Sequence, residues 1–258
     1  MSAYERIDID GASVEYELIP GRSDNATIVL LHEGLGCVAL WRDFPRKLHA
    51  ATDCPILAYS RLGYGGSDPI LLPRPLDHMR KEGRDFLPKI CAALGIESPI
   101  VLGHSDGASI ALEFAIAHQE ALDALIILAP HVFVEEISVT SIRAIDRQFR
   151  DGDLRAKLAR YHGANVDNAF RGWCDTWLDA DFAAWNMESE LRRILVPILQ
   201  FQGTRDEYGS VAHVQSIEAS AQSRCRTCIL DGCGHAPHLE WSERVLTEIT
   251  DFVQSLEA

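Results

Sequence analysis

Three residues far apart in the chain, Ser105, Asp206 and His235, are of the types needed for nucleophilic catalysis by a serine. A serine hydroxyl is a poor nucleophile at neutral pH, so a base must take its proton. A histidine can be that base, and an acid then holds the imidazole in the correct tautomer and stabilises its charged form. The three residue types therefore predict a proton relay, provided that the fold brings them together.

Ser105 lies in residues 99–108, PIVLGHSDGA, where an apolar run meets a Gly-x-Ser-x-Gly turn. The run predicts a short buried strand, and residues 108–117 predict a largely apolar helix. Because Gly103 and Gly107 have no side chains, strand and helix can approach closely around a strained serine. This strand–turn–helix context is what the motif requires mechanically.

The acid and the base also follow predicted strands. Asp206 lies in FQGTRDEYG, directly after an apolar run at 197–201, and His235 lies in the glycine-rich segment DGCGHAPHLE. Glu207 is a weaker candidate for the acid, and Glu135 and Glu136 follow another predicted strand at a position where such an acid can lie.

His238 is the alternative base, three residues after His235. It precedes an amphipathic pattern through Trp241, Val245, Ile249 and Phe252, so we interpret it as a residue at the start of the final helix.

The elements around these residues alternate between strands and helices. Near-continuous apolar runs, typical of parallel strands buried on both faces, occupy 27–31, 55–59, 100–102, 125–129 and 197–201. Helical patterns at 41–50, 77–94, 108–118 and 211–220 are predicted to be the crossovers between them. Residues 4–9 and 13–18 predict an antiparallel hairpin at one edge of the sheet. The fold class is therefore α/β, with a doubly wound, mostly parallel sheet.

Residues 131–195 break this alternation with helical patterning and no convincing strand. We predict an inserted helical cap there, on a core domain formed by 1–130 and 196–258. Trp173 and Trp177 are four residues apart and share a helix face. Such a pair packs against the main domain or lines a substrate pocket, and we take both as candidate substrate-binding residues.

Composition excludes several classes of partner. The chain has 258 residues and a formal charge of −14, from 24 Lys and Arg against 38 Asp and Glu, so nucleic acid is an unexpected partner. No apolar run approaches the roughly 20 residues of a membrane helix, and the N-terminus lacks a signal-peptide pattern. We expect a cytoplasmic protein that acts on a small molecule, and the sequence predicts no oligomeric state.

Seven cysteines at scattered spacings indicate reduced thiols rather than disulfides. Cys225, Cys228, Cys233 and His235 superficially resemble a structural zinc site. Cys228 lies in a predicted buried strand, however, and His235 is better explained as the base. We therefore expect neither a metal nor a cofactor.

Together these motifs resemble the α/β-hydrolase superfamily over nearly the whole chain. The matching elements occur in order: HEGLG at 32–36, RLGYGGSD at 61–68, the serine turn, and the late Asp and His segments. The resemblance implies an α/β-hydrolase fold, with Ser105 as nucleophile, His235 as general base and then acid, and Asp206 as the orienting carboxylate.

The resemblance also implies an oxyanion hole. One donor would be the backbone N–H of Asp106, and the other an N–H of the loop after the third strand. That loop often begins His-Gly in the superfamily, but here its second residue is Glu33. Gly34 is the favoured second donor, and Leu35 is the alternative.

Asp106 and Glu33 add two carboxylates near the reacting centre. Asp106 could cap the following helix, and Glu33 could anchor its loop through hydrogen bonds. Alternatively, one of them binds a cationic group of the substrate. The Ser-Asp-Gly turn is similar to that of amino-acid ester hydrolases of the valacyclovir hydrolase kind, in which the aspartate faces the substrate amine.

The expected function is that of a cofactor-independent serine hydrolase. Its substrate would be a small carboxylic ester, lactone or activated amide, cleaved through an acyl-enzyme. The same fold supports carbon–carbon bond hydrolysis, cofactor-free peroxidase chemistry and slow-turnover ligand receptors.

Overall fold

The computed structural model describes residues 4–22 and 24–256. The prediction that the N-terminus lacks a signal peptide falls partly on residues 1–3, which lie outside the described residues. The strands form one eight-stranded sheet in the order β1-β2-β4-β3-β5-β6-β7-β8. Their bounds are β1 Glu5–Ile9, β2 Ala12–Ile19, β3 Ile28–Leu31, β4 Ile56–Tyr59, β5 Ile100–His104, β6 Ala124–Leu128, β7 Ile198–Gly203 and β8 Cys225–Leu230.

The sheet confirms the predicted fold class. β1 and β2 pair antiparallel, β2 pairs antiparallel with β4, and β3 to β8 run parallel to one another. Apolar runs arise because both faces of the central strands are covered: in β3, Val29 and Leu31 join one hydrophobic cluster and Ile28 and Leu30 the other.

Helices cover both faces. The cluster that contains Ile28 also contains apolar residues of α1 and α11, and the opposite cluster contains those of α2, α3, α4 and α9. The bounds in the core are α1 Phe44–Thr52, α2 His78–Lys81, α3 Leu87–Ala93, α4 Asp106–Ala117, α9 Ala212–Ser220, α10 Pro237–Glu240 and α11 Ser242–Gln254. No helix of the described residues is long and apolar enough to cross a membrane.

Two predicted helices differ from the observed ones. The helix predicted at 41–50 begins at Phe44, after a 3-10 turn, because Arg42 has a φ of 56° that no α-helix accommodates. The helix predicted at 77–94 contains a π-helical segment, Glu82–Phe86. Pro88 has no N–H to donate at the start of the next turn, and Gly83 packs so closely on α4 that an added Cβ would lie 2.5 Å from the Ile110 carbonyl oxygen.

Residues 131–195 contain four α-helices, and among the described residues of this segment the sole β pairing is an isolated bridge between Phe133 and Asn186. The helices are α5 Glu136–Asp151, α6 Leu154–His162, α7 Val166–Trp177 and α8 Glu188–Leu191. Phe149 of α5 stacks on Phe170 of α7 with ring centroids 3.6 Å apart. This contact fixes α7, which carries Trp173 and Trp177, against α5.

Candidate active site

Ser105 lies at the junction of β5 and α4 in a conformation that only a constrained turn maintains. Its φ of 55° and ψ of −118° are unusual for a residue with a side chain. Its N–H donates to the Leu128 carbonyl at 2.9 Å, and its own carbonyl accepts from the Ala108 N–H at 2.9 Å. The turn is therefore held by backbone hydrogen bonds on both sides of the serine.

The two glycines of the turn are required by close packing. A Cβ on Gly103 would lie 2.2 Å from the Gly107 carbonyl oxygen, and a Cβ on Gly107 would lie 2.0 Å from that of Leu31. Both obstacles are backbone atoms, which cannot rotate away. The absence of these two side chains thus allows α4 to lie directly against β3 and β5.

We expect Gly107→Ala to destabilise the fold by about 3 kcal/mol, because the clash with the Leu31 carbonyl can be relieved only by moving α4. Gly95→Ala is the matched control. Gly95 has a φ of 65° and open space around its Cβ position, so it should lose only about 1 kcal/mol through backbone strain. Urea denaturation measures both free energies of unfolding, and equal losses would contradict the packing argument.

Asp206 holds His235 in one tautomer. The Nδ1 of His235 lies 2.9 Å and 2.8 Å from the two carboxylate oxygens. A carboxylate accepts, so Nδ1 carries the hydrogen and, in the neutral ring, Nε2 is left as the proton acceptor. Both the Gln202 side chain, at 2.8 Å, and the Tyr208 N–H, at 2.7 Å, donate to the same carboxylate.

These donors keep Asp206 ionised although it is buried. Burial alone raises the pKa of this carboxyl, but the hydrogen bond and charge of His235 and the Tyr208 and Gln202 donors together lower it to about 2. A buried, ionised carboxylate is the group that stabilises an imidazolium as it forms.

The alternative residues lie elsewhere. His238 is buried against the rings of Trp41 and Phe44, at 5.0 Å and 5.2 Å, and lies in α10, just before the final helix. Glu135 accepts from the Ser210 hydroxyl at 2.7 Å.

The two remaining carboxylates are exposed. Glu136 lies 3.7 Å from Arg143, and Glu207 also lies at the surface. Of the carboxylates considered from the sequence, Asp206 is the one in contact with His235.

Ser105 and His235 line one cavity of about 170 Å³, at the carboxyl ends of the strands. Trp173, Trp177 and Ile142 from residues 131–195 contribute apolar walls to it. The cavity is smaller than the 300–1,000 Å³ usual for ligand pockets, so it admits only a small group.

The candidate oxyanion donors lie beside the cavity. Asp106 is the first residue of α4, where an N–H has no partner within the helix. The Gly36 N–H donates to the Glu33 carbonyl at 3.1 Å, which closes a turn with Gly34 and Leu35 at its centre. Neither central N–H donates to any part of the chain that the structure describes, so both remain candidates for the second donor.

Gly34 also contacts residues of the 131–195 segment directly. A Cβ at this position would lie 2.1 Å from the indole nitrogen of Trp173, so any side chain there would displace Trp173. The carbonyl of Leu35 accepts from Nε2 of His162 at 3.0 Å, while Nδ1 of the same ring accepts the Gly65 N–H at 3.0 Å. The turn is therefore fixed from α6 as well as from the core.

Asp106 is enclosed beneath the cavity wall. The Trp177 indole N–H donates to its Oδ1 at 3.1 Å, and Oδ2 is buried without a hydrogen-bond partner. Burial raises the pKa of this carboxyl, although the positive charge of Arg61 partly opposes the rise. Its carboxylate oxygens therefore make no hydrogen bond to the N–H groups of α4, although its charge lies in the first turn of that helix.

The side chain of Glu33 lines the same cavity and is about 30% exposed. It lies 3.6 Å from Nδ1 of His104, and its loop is held instead through its main-chain carbonyl, which accepts from Arg61 at 3.0 Å.

Four residues that line the cavity were missed in the sequence: His131, Ser138, Ile142 and Tyr208. His131 is 3% exposed, and its ring lies 5.9 Å from that of His235 and 5.1 Å from that of Trp177. Burial lowers its pKa well below the ordinary value, so the ring is neutral. Tyr208 packs on His235 at 4.7 Å. The one signal available for His131 was its place directly after the strand now seen as β6.

Cys225 and Cys228 lie on β8, and burial raises the pKa of Cys233 to about 12. Within residues 4–22 and 24–256, no three His, Cys, Asp or Glu side chains are grouped so as to hold a metal ion.

The chain belongs to the alpha/beta hydrolase family, whose model matches residues 28–248. The protein is thus a hydrolase of the α/β-hydrolase kind. It is 22% identical to the proline iminopeptidase of Heyndrickxia coagulans, over 97% of this chain and 98% of the relative.

Two solved structures show the same fold. A bacterial membrane phospholipase A has a TM-score of 0.79 at 20% identity, covering 99% of this chain and 86% of that one. A thermophilic esterase of Thermogutta terrifontis has a TM-score of 0.77 at 16% identity, with both chains covered completely, at 100% each.

Proposed function

We propose that this protein is a serine hydrolase that cleaves a small carboxylic ester, lactone or activated amide through an acyl-enzyme. One observation carries the proposal: His235, held through Nδ1 by the buried carboxylate of Asp206, lines the same cavity as the strained Ser105. This placement supports Ser105 as nucleophile, His235 as base and Asp206 as orienting acid.

In the proposed reaction, the Ser105 Oγ attacks the substrate carbonyl while Nε2 of His235 takes the hydroxyl proton. The resulting oxyanion is stabilised by the Asp106 N–H and by that of Gly34 or Leu35. The tetrahedral intermediate collapses, and His235 returns the proton to the leaving alcohol or amine. Water, deprotonated by His235, then attacks the acyl-enzyme, and the acid departs with regeneration of the Ser105 hydroxyl.

The cavity supports a small acyl group that bears an amine. Its volume of about 170 Å³ and its indole walls limit the size of the acyl group. Asp106 carries a buried oxygen without a hydrogen-bond partner, and an ammonium group would satisfy both its charge and its lone pairs. Trp177 would hold the carboxylate in place from the other side.

We also propose a cytoplasmic location. No disulfide joins any of the seven cysteines, all of which lie within the described residues, and this state fits a reducing compartment.

Labelling with a fluorescent organophosphonate tests the mechanism. We expect stoichiometric labelling of the wild type and none of Ser105→Ala, with the site located by peptide mass spectrometry. Well-folded wild-type protein that does not label would contradict the proposal.

A substrate panel tests the acyl group. We expect alanyl esters to be preferred over propionyl esters of the same alcohol, and Asp106→Asn to reduce this preference about tenfold or more, since hydrogen bonds to charged groups contribute about 1.5–3 kcal/mol. An unchanged preference would exclude Asp106 as the amine site. If the protein is instead a carbon–carbon bond hydrolase or a slow-turnover ligand receptor, we expect no appreciable hydrolysis of any ester, lactone or amide in the same panel.

A further inference from the structure

His104, the last residue of β5, lies between two loops of the proposed active site. It is 3% exposed, and its Nε2 lies 2.7 Å from the main-chain carbonyl oxygen of His235. A carbonyl oxygen only accepts hydrogen bonds, so Nε2 carries a hydrogen and donates it. The side chain before the nucleophile therefore holds the backbone of the proposed base.

The other nitrogen of this ring also faces an acceptor. Nδ1 lies 3.6 Å from Oε2 of Glu33, and it is buried without a hydrogen-bond partner. In a neutral ring protonated on Nε2, Nδ1 would present its lone pair to the carboxylate. That arrangement is repulsive and leaves a buried polar atom unsatisfied. A second ring proton turns the repulsion into attraction.

Two nearby histidines show the contrast. His32 donates from Nδ1 to the Glu33 carbonyl at 2.7 Å and accepts the Arg61 N–H on Nε2 at 3.1 Å. His162 likewise has one donor and one acceptor as partners. Such rings are satisfied when neutral, whereas the two partners of His104 are both acceptors.

The surroundings of the pair support a proton on the ring. Burial lowers the pKa of His32 well below its ordinary value, so this neighbour of Glu33 stays neutral. Burial lowers the pKa of His238, whose ring lies 4.8 Å from that of His104, so it adds no competing charge. The titratable or charged groups that face the pair are His32, Cys37, Arg61, His131, His162, His235 and His238.

We propose that His104 is an imidazolium paired with the Glu33 carboxylate, and that the two are positioning residues for the proposed reaction. Glu33 begins the turn that carries Gly34 and Leu35, and His104 holds the main chain of His235. The ion pair thus fixes the oxyanion donors relative to the base. The inference rests on the proposed function for its effect on catalysis, but not for the protonation state itself.

Nitrogen-15 NMR of histidine-labelled full-length protein tests the protonation state, with the His104 signals assigned through His104→Gln. We expect both ring nitrogens of His104 to be protonated at pH 7 in the wild type. In Glu33→Gln the amide N–H can donate to Nδ1, so we expect a neutral ring with one bare nitrogen. A neutral His104 in the wild type at pH 7 would overturn the proposal, whether or not Ser105 reacts with phosphonates.

Kinetics test the positioning role. We expect the kcat of the wild type to fall about tenfold or more, with little change in KM, over the pH range in which NMR shows loss of the Nδ1 proton. Glu33→Gln should lack this fall, whereas Glu33→Ala should have a reduced kcat at every pH. Loss of the proton without any change in kcat would contradict the positioning role, even if the ion pair itself is found.

Discussion

Ser105→Ala is expected to lower kcat by roughly 10⁶-fold, because it removes the atom that attacks the substrate carbonyl. Alanine keeps the N–H that donates to Leu128 and the carbonyl that accepts from Ala108, so the turn should persist. KM should change little, since the cavity walls and the oxyanion donors remain. Steady-state kinetics on the preferred ester of the panel measures both parameters.

Ser141→Ala is the matched control for this prediction. The Ser141 hydroxyl donates to the Glu207 carbonyl at 2.6 Å, outside the cavity, so its loss should change kcat less than about twofold. Equal unfolding midpoints of the two variants would show that the fold is intact. If Ser105→Ala retained more than about 1% of the wild-type kcat, a different nucleophile would have to be sought.

The sheet could be predicted from sequence because its signals are local. Each central strand is covered on both faces, so its residues are apolar without alternation, as in Ile28–Leu31. The serine turn is local as well. Gly103 and Gly107 lie on either side of one strand–helix junction. Glycine is required at both positions because an added Cβ would clash with backbone atoms packed at that junction.

Contacts between loops of distant strands could not be predicted in this way. Glu15 alternates with apolar residues of β2 and looks solvent-facing in sequence, yet it is buried and accepts from the Ser60 hydroxyl at 2.8 Å and the Gly66 N–H at 2.9 Å. Asp106 lies next to the nucleophile in sequence, but its partner Trp177 is 71 residues away. Such partners depend on the path of the chain through residues 131–195.

The same limit applies to the acid of the proposed proton relay. Sequence position left Asp206, Glu207, Glu135 and Glu136 all possible, since each follows a strand of the sheet. The structure separates them because a hydrogen bond needs a direction as well as proximity: the carboxylate of Asp206 receives Nδ1 of His235, while that of Glu135 receives Ser210.

Asp206→Asn is expected to lower kcat about 10⁴-fold. An amide can present its own N–H to Nδ1 of His235, and the ring then carries its hydrogen on Nε2, where it cannot accept the Ser105 proton. Asp231→Asn is the control, because Asp231 is exposed in the loop that leads to His235 and accepts from the Thr204 hydroxyl at 3.0 Å. Comparable losses in the two variants would indicate a disturbed loop rather than a wrong tautomer.

Asp206→Asn should also remove an acid-dependent part of the stability. The folded-state pKa of about 2 lies below the ordinary value of 3.8, so the ionised carboxylate stabilises the fold at pH values above 3.8. Linkage gives this contribution as about 2 kcal/mol, which is lost as the pH falls from about 4 towards 2. The difference in unfolding free energy between wild type and Asp206→Asn should therefore shrink by that amount over this range in urea titrations. A difference that stays constant with pH would mean that the pKa of Asp206 is the same in the folded and the unfolded chain. The imidazolium that forms at His235 during the reaction would then lack its counter-charge.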